Sequence, residues 1–379
     1  GSLLENNPNF SGEAWLEMFV TAADSMDCTV GNVTFAPGVR NNWHAHPGGQ
    51  ILLCTSGKGL YQEKGGAIRE LHPGDVVKIA PGVIHWHGAA PGASIGLPAL
   101  TSCAGKRRKR RIVLYFTATG NSLYVARQLA EPEGELLSIP QMVKQNRYEF
   151  EADEIGIVYP IYGHMPPNMV RNFIREARLK AEYKFAVLTY GARKCDAAEI
   201  WNDLSAKAGN AFDYIATLVM VDNWLPNFDM NEQVKMDKRI PENLRRIAGE
   251  ISRRRHWLEP VSEEERQMHA GFMAFSGLDP EVGFLNRSER YFTVTDACIG
   301  CGACTDVCPR GNYELTSHGV ATQGDCDFCF ACIQNCPQKA IRFRQDSGDP
   351  LLARGERNPG ARYRNEHVSL MDIKRANSR

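Results

Sequence analysis

The rhythm of hydrophobic and polar positions changes along the 379 residues. Residues 1–97 carry short runs rich in β-branched and aromatic residues (CTVGNVTF, QILLCTS, GLYQEK, DVVKIA), separated by APG, HPGG, KGG, HPGD and APG turns. Short strands between regular Gly/Pro turns predict a small all-β barrel or sandwich. The run SGEAWLEMF, with Ser11 placed to cap it, predicts a short covering element. Residues 98–110 read as a linker, leading into the basic run KRRKRR at Lys106–Arg111. Such a run suits a nuclear signal, an anionic-surface patch or a solvated linker ahead of a strand.

From residue 111 to 255 strands and helices alternate. Strand candidates are 111–116, 154–159, 184–190 and 213–221, with a weaker one at 135–139; helical stretches fall near 121–131, 166–180, 196–208 and 231–255. That alternation predicts βαβ units, hence an α/β domain on a parallel sheet. Residues 256–290 are polar and read as an irregular connector. Residues 291–345 hold most of the cysteines, and 346–379 form a C-terminal tail.

Charge narrows the partners. The chain has 44 basic and 44 acidic side chains and a pI near 7.2, which argues against a protein built to hold nucleic acid or an anionic membrane. No run approaches ~18 consecutive apolar residues. The opening GSLLENNPNF lacks a basic then apolar leader, so a cytoplasmic protein is expected.

Eight of the twelve cysteines lie between Cys298 and Cys336. They form Cys298-x2-Cys301-x2-Cys304-x3-Cys308-Pro309 and then Cys326-x2-Cys329-x2-Cys332-x3-Cys336-Pro337. This is the two-cluster ferredoxin spacing, in which the fourth cysteine of each run serves the other cluster. It predicts one [4Fe–4S] cluster on Cys298, Cys301, Cys304 and Cys336, and a second on Cys326, Cys329, Cys332 and Cys308. Zinc and disulfides are the competing readings, but zinc sites usually present paired CxxC knuckles. Cys28, Cys54, Cys103 and Cys195 read as buried or inert thiols.

Directly after the strand at 111–116 come Thr117, Ala118, Thr119, Gly120, Asn121 and Ser122. Hydroxyls and one glycine ahead of a helix N-terminus can cradle a phosphate, although the same pattern also serves plain N-capping. Neither the dinucleotide nor the P-loop fingerprint is present; the short loop suits the monophosphate of FMN. Two further loops follow strands, one with Tyr162 and Gly163, the other with Thr189, Tyr190 and Gly191. Both fall at the carboxyl edge of the sheet, where ligands bind. Tyr162 or Tyr190 can stack on a flavin ring or pack as rim aromatics.

On YFTATGNSLYVARQL, IGIVYPIYGHMPP, LTYGARKCDA, VMVDNWLPNFD, CIGCGAC, CDFCFACIQNCPQKAI and ARYRNEHVSLMDI, residues 111–379 resemble the flavodoxin–ferredoxin fusion proteins of anaerobic bacteria and archaea (the EFR group). The resemblance implies a flavodoxin-like sheet binding FMN beside a small α+β two-cluster ferredoxin domain. Arg193-Lys194-Cys195 departs from it, standing where a smaller Gly-rich loop is typical.

Five of the ten histidines fall between His44 and His87. His44 and His46, at i and i+2, share one side of a strand; with Gln50 and His85 they can close a mononuclear divalent-metal site. The spacing Gly38-x5-His44-x-His46-x3-Gln50-x6-Gly57, with Pro81-Gly82-x2-His85, resembles the two-motif signature of a cupin. More narrowly, NNWHAHPGGQ, LHPGDVVKIAPG and HWHGAAP are similar to small cupins grouped with carboxymuconolactone decarboxylases. That family's usual Glu is Gln50 here. His72 and His87 are expected outside the ligand set, and the closing strand is poorly matched by GASIGLPALTS. A metal-free binding barrel is the alternative.

Three functions follow as expectations. The first is an iron–sulfur flavoprotein oxidoreductase or electron carrier with a protein electron partner, or a small-molecule substrate at the flavin. The second makes the cupin a metal-dependent dioxygenase, isomerase or decarboxylase fed by the redox half. The third leaves the cupin as a sensor or homodimerisation module.

Overall fold

The computed structural model describes residues 1–4, 7–21, 24, 28–102, 110–130, 134–279, 286, 287, 290–317 and 319–378. Cys103, the basic run up to residue 109 and part of the expected connector lie outside them. The chain divides into two units, Gly1–Arg108 and Lys109–Arg379.

The first unit is a cupin-like β-barrel. Its strands are β1 (Ala14–Val20), β2 (Cys28–Phe35), β3 (Gln50–Leu53), β4 (Gly59–Glu63), β5 (Arg69–Leu71), β6 (Val76–Ile79), β7 (His85–Ala89) and β8 (Ile95–Ser102). One antiparallel sheet runs β1-β2-β8-β3-β6; the other runs β5-β4-β7. Phe35, Leu52, Leu71, Ile95 and Leu97 are buried between them. The expected covering element at 11–19 is instead strand β1, whose Ala14 alone is fully buried.

The closing strand β8 runs to Ser102, so the expected domain edge at residue 97 falls inside it. Pro98 disguises it, since proline cannot donate to a ladder. The structure accommodates Pro98 where the neighbour changes: β8 pairs with Ser56–Gly57 at residues 95 and 96 and with β3 at 99–101. Residues 97 and 98 therefore face no partner on that side. At this crossing Gly57 adopts φ +77°, and a Cβ there would overlap Ser94 O at 1.8 Å, so only glycine fits.

The second unit opens with β9 (Arg111–Tyr115), α1 (Asn121–Ala130), β10 (Glu135–Ser138), β11 (Glu154–Pro160), α2 (Asn168–Glu176), β12 (Tyr183–Tyr190), α3 (Ala197–Lys207), β13 (Tyr214–Val219) and α4 (Ile240–Ser252). The sheet is parallel in the order β10-β9-β11-β12-β13, with Trp257–Leu258 added at the β13 edge. Strands buried on both faces read as continuous apolar runs; Ile112, Val113, Leu114, Ile155, Ile157, Val187 and Leu188 are all fully buried. The order of strands reverses beside β9, which opens a crevice at the carboxyl ends of β9 and β11.

Residues 256–290 are not irregular throughout. They contain the added strand and α5 (Glu263–Ser276), which starts in a Ser262/Glu265 capping box and ends at Gly277 in the left-handed region. Two short helices, α6 (Ala303–Val307) and α7 (Ala331–Asn335), lie within the two cysteine runs and pack on each other. The tail ends in α8 (Leu370–Asn377), which packs on α6 and carries its own capping box, Ser369/Asp372. No described helix is long and apolar enough to cross a membrane.

Candidate functional site

In the barrel, the alternation of β7 puts His85 and His87 on one face, both buried. His44 bridges to His85 through paired backbone hydrogen bonds of 3.0 and 2.9 Å. Ligand atoms of His44, His85 and His87 lie within 4.8 Å of one another. The ring of His46 lies 4.9 Å from that of His44, and its buried Nε2 has no hydrogen-bond partner. His87, expected outside the cluster, is thus inside it.

Hydrogen bonds assign the tautomers. His44 Nδ1 donates to Asn42 O at 2.8 Å and His85 Nδ1 to Val83 O at 2.9 Å, which leaves an Nε2 lone pair on each. Gln50 Oε1 sits 3.1 Å from His85 Nε2, while its amide nitrogen donates to Thr101 Oγ1. Two lone pairs thus face each other, an arrangement that a cation relieves. His87 differs. Asn41 Oδ1 accepts from His87 N, so Asn41 Nδ2 must donate to His87 Nε2 at 2.9 Å, and the ring proton sits on Nδ1. That buried N–H has no partner and offers a donor beside the lone pairs. Burial, reinforced by neighbouring imidazoles, pushes His46 down to about 4 and His87 well below its ordinary value. The His46 and His87 rings are therefore neutral near pH 7, as a metal ligand must be. The donor set fits a divalent metal on His44, His46, Gln50 and His85.

In the second unit, the first turn of α1 and the loop before it are held from several directions. Gly120 N donates to Thr117 Oγ1 at 3.1 Å, Ser122 and Thr189 hydroxyls meet at 2.8 Å, and Asn223 Nδ2 donates to Thr119 Oγ1 at 2.7 Å. The tail joins in. Asn365 N donates to Thr119 O at 2.8 Å, and Tyr363 OH and Asn365 Nδ2 donate to Asn121 Oδ1 at 2.6 and 3.2 Å. Asn377 Nδ2 bonds both Thr117 O and Val307 O at 3.0 Å, tying this loop to α6. Gly120, at φ +97°, has Val368 2.9 Å from where a Cβ would stand. Sequence reasoning assigned no role to Asn223, Tyr363, Asn365 and Asn377, although the VMVDNWLPNFD and ARYRNEHVSLMDI stretches held the first three.

Thr117, Thr119, Asn121, Ser122, Tyr162, Thr189, Tyr190 and Gly191 line one cavity. An adjoining cavity of about 260 Å³ continues from Tyr162 and Gly191 past Gly163 and Trp224 to Cys329. The loop's hydroxyls and helix N-terminus, with an aromatic-walled space beyond, fit a phosphate-bearing planar ring.

The two cysteine sets segregate. Cys298, Cys301, Cys304 and Cys336 line one hollow, and Cys301 is exposed. Burial, then the neighbouring thiols led by Cys336, pushes Cys304 up to about 12. Burial followed by Cys308, Cys326 and Cys332 pushes Cys329 well above the usual thiol range. Thiols packed this way need a metal charge to ionise. Among the described residues no three of them approach within 4.8 Å. A single zinc at ~2.3 Å from each sulfur would require closer approach.

The runs also differ in backbone. Gly300 and Gly302 adopt positive φ in the first; in the second the equivalent positions are Phe328 at +56° and Phe330 at +61°. Left-handed phenylalanines cost roughly 1–2 kcal/mol each. Both line the aromatic cavity with Trp224, whose ring stacks on Phe330 at 5.1 Å. Strain held at a cavity wall signals use.

These features define a chain with an N-terminal cupin domain and, near its C-terminus, a 4Fe–4S dicluster domain of the ferredoxin kind. Residues 31–95 match the Cupin domain family and residues 290–337 the 4Fe–4S dicluster domain family. Among particular proteins, the chain is 49% identical over 82 residues to the (R)-mandelonitrile lyase of Granulicella tundricola, covering 22% of this chain and 63% of the lyase. It is 35% identical over 54 residues to a ferredoxin of Methanothermococcus thermolithotrophicus, 13% of this chain and 90% of that protein. It is 36% identical over 70 residues to an iron–sulfur protein of Rhodospirillum rubrum, 13% of this chain and 37% of that protein. The chain thus spans less than two thirds of the lyase and of the Rhodospirillum protein. A solved cupin-like protein from Thermotoga maritima is 47% identical, covering 25% of this chain and 71% of that one, with a TM-score of 0.24.

Proposed function

We propose that the chain is an iron–sulfur flavoprotein that passes electrons between two [4Fe–4S] clusters and FMN, with an appended metal-binding cupin. One observation carries this reading: the cavity at the Thr117–Ser122 cradle adjoins a second that reaches Cys329, the two sharing Ile161, Tyr162, Gly191 and Asn223 as walls. The strand order matches the flavodoxin-like 2-1-3-4-5 arrangement, whose switch point is an FMN site.

In this reading the loop amides and the hydroxyls of Thr117, Thr119 and Ser122 hold the phosphate. Tyr162, Gly191 and Trp224 bound the ring, and the thiolates hold the two clusters in the crossed sets. Flavin exchanges one or two electrons and each cluster one, so the assembly can pair single electrons. The chain's contribution is position: Phe328, Phe330 and Trp224 keep water from the Cys329 side, and Tyr313 OH donates to Cys332 Sγ at 3.2 Å. The side with the exposed Cys301 suits a protein electron partner. Anaerobic purification with visible spectra and iron, sulfide, flavin and metal analysis tests the reading. About eight irons, eight sulfides and one FMN per chain are expected; zinc at the cysteines, or absence of flavin, would sink it.

A second reading makes the cupin a catalytic centre in its own right. The facing lone pairs of Gln50 and His85 and the likeness to the mandelonitrile lyase favour it. Mandelonitrile cleavage that is lost on chelation and restored by a divalent metal would support it; no cleavage with any metal would remove lyase chemistry.

A further inference from the structure

The aromatic cavity carries a feature that neither cluster nor phosphate binding uses. Three buried polar atoms beside it, His164 Nδ1, His269 Nε2 and Asp196 Oδ1, lack an aligned hydrogen-bond partner. They belong to neighbouring side chains. His269 Nδ1 lies 2.6 Å from Asp196 Oδ1, close enough for an ion pair though not aligned as a hydrogen bond. The His164 and His269 rings stand edge to face with centroids 5.3 Å apart. His164 is 7% exposed, lines the cavity, and holds φ +67°, a conformation uncommon outside glycine though one in which Asn, Asp and His are enriched. Buried polar atoms rarely go unpaired; three adjoining ones ending at a cavity wall call for a function.

We propose that Asp196, His269 and His164 form a proton line into this cavity, feeding the redox group that occupies it; this rests on the flavin reading above. Full reduction of a flavin takes two electrons and two protons. The clusters supply one electron each, and Cys329 stands at the same cavity as His164. For each proton, His164 gives the hydrogen from one ring nitrogen and takes another at its second nitrogen from His269 by way of a solvent molecule, since the two rings stand edge to face with no direct hydrogen bond between them. His269 is resupplied from solvent, and the Asp196 carboxylate balances its charge as it passes the proton on.

Burial first, then His269, pushes His164 down to about 4, so the ring is neutral at pH 7 with one donor and one acceptor nitrogen, as a relay requires. Asp196 opposes that shift and Arg193 adds to it. Across the cavity stand Tyr162, Asp222 and Cys329. The line also accounts for the Arg193-Lys194-Cys195 departure. Lys194 pairs with Glu259 at 2.7 Å and Glu265 at 3.6 Å, which ties this loop to the start of α5 and so sets Asp196 against His269.

The test uses the full-length protein, purified anaerobically and reduced with dithionite in a stopped-flow instrument. Two variants are compared, His164→Asn, which tolerates the left-handed backbone, and His269→Gln. Flavin and iron contents should match the parent protein. Flavin bleaching at pH 7 should slow at least tenfold with cluster bleaching unchanged, its solvent deuterium isotope effect should rise, and added imidazole should restore part of the rate in His164→Asn. Unslowed bleaching in both variants would overturn the line alone. Loss of flavin or iron in both would make the pair structural and overturn it as well. A parent protein that holds no flavin would bring down the flavin reading and the line together.

Discussion

Tyr313 offers a clean perturbation of one cluster. It is 2% exposed, and its hydroxyl donates to Cys332 Sγ at 3.2 Å; among the described residues no such bond reaches Cys298, Cys301 or Cys304. A donor to cluster sulfur favours the reduced, more negative state and raises the potential. Tyr313→Phe keeps the ring packing and deletes only this bond. A net hydrogen bond is worth about 0.5–1.5 kcal/mol. If the reduced state holds that much of the difference, at 59 mV per ~1.4 kcal/mol for one electron the potential should fall by roughly 20–65 mV. Potentiometric titration monitored by EPR reads both clusters separately. The Cys326/Cys329/Cys332/Cys308 cluster should move down and the other should stay within error. An unchanged pair, or a shift confined to the Cys298 set, would refute the reasoning.

Asn365→Ala removes the side-chain bonds to Asn121 Oδ1 and from His367 N, at 3.2 and 3.0 Å. At about 1 kcal/mol each, FMN should bind roughly 5- to 30-fold more weakly, while riboflavin, which lacks the phosphate, should be little affected; fluorescence titration distinguishes them. His85→Ala should abolish metal binding by the barrel, whereas Gln50→Glu, by adding a charge, should tighten it at least about tenfold; chelator competition on the full chain measures both. Asp372 is held down to about 2, chiefly by a hydrogen bond from Arg127, in an ion pair of 2.6 Å. A carboxyl so depressed stabilises the tail above its ordinary 3.8 and loses that contribution as pH falls toward 2. Protection factors of the α8 amides, which divide out the intrinsic pH dependence of exchange, should therefore fall over that window in the parent protein, and Asp372→Asn should show the lower protection already at pH 7.

The sequence determined the chemistry wherever the functional atoms lie within a few residues of each other. Cys-x2-Cys-x2-Cys-x3-Cys-Pro sets ligand reach by covalent spacing alone; His44 and His46 were expected to share one side of a strand, but His44 sits in an isolated bridge and His46 outside any strand. The continuous apolar runs of β9, β11 and β12 mark a doubly covered sheet without any contact being known. Helix α5 was half legible: its Ser262-x-x-Glu265 box stood in the sequence, but none of its residues is fully buried, so no apolar stripe announced it. Other features were decided by the tertiary structure. The closing strand was poorly matched by GASIGLPALTS, and β8 forms because a gap in one ladder falls at residues 97 and 98, where Pro98 stands. His87 joined the imidazole cluster only through the face it shares with His85 and its bond to Asn41. Tyr363 reaches Asn121 across 242 residues of chain, and Asn377 joins Thr117 to Val307. Local pattern can specify which atoms bind. Which distant segment satisfies a buried carbonyl or crowds a glycine depends on the whole chain burying its polar groups in pairs.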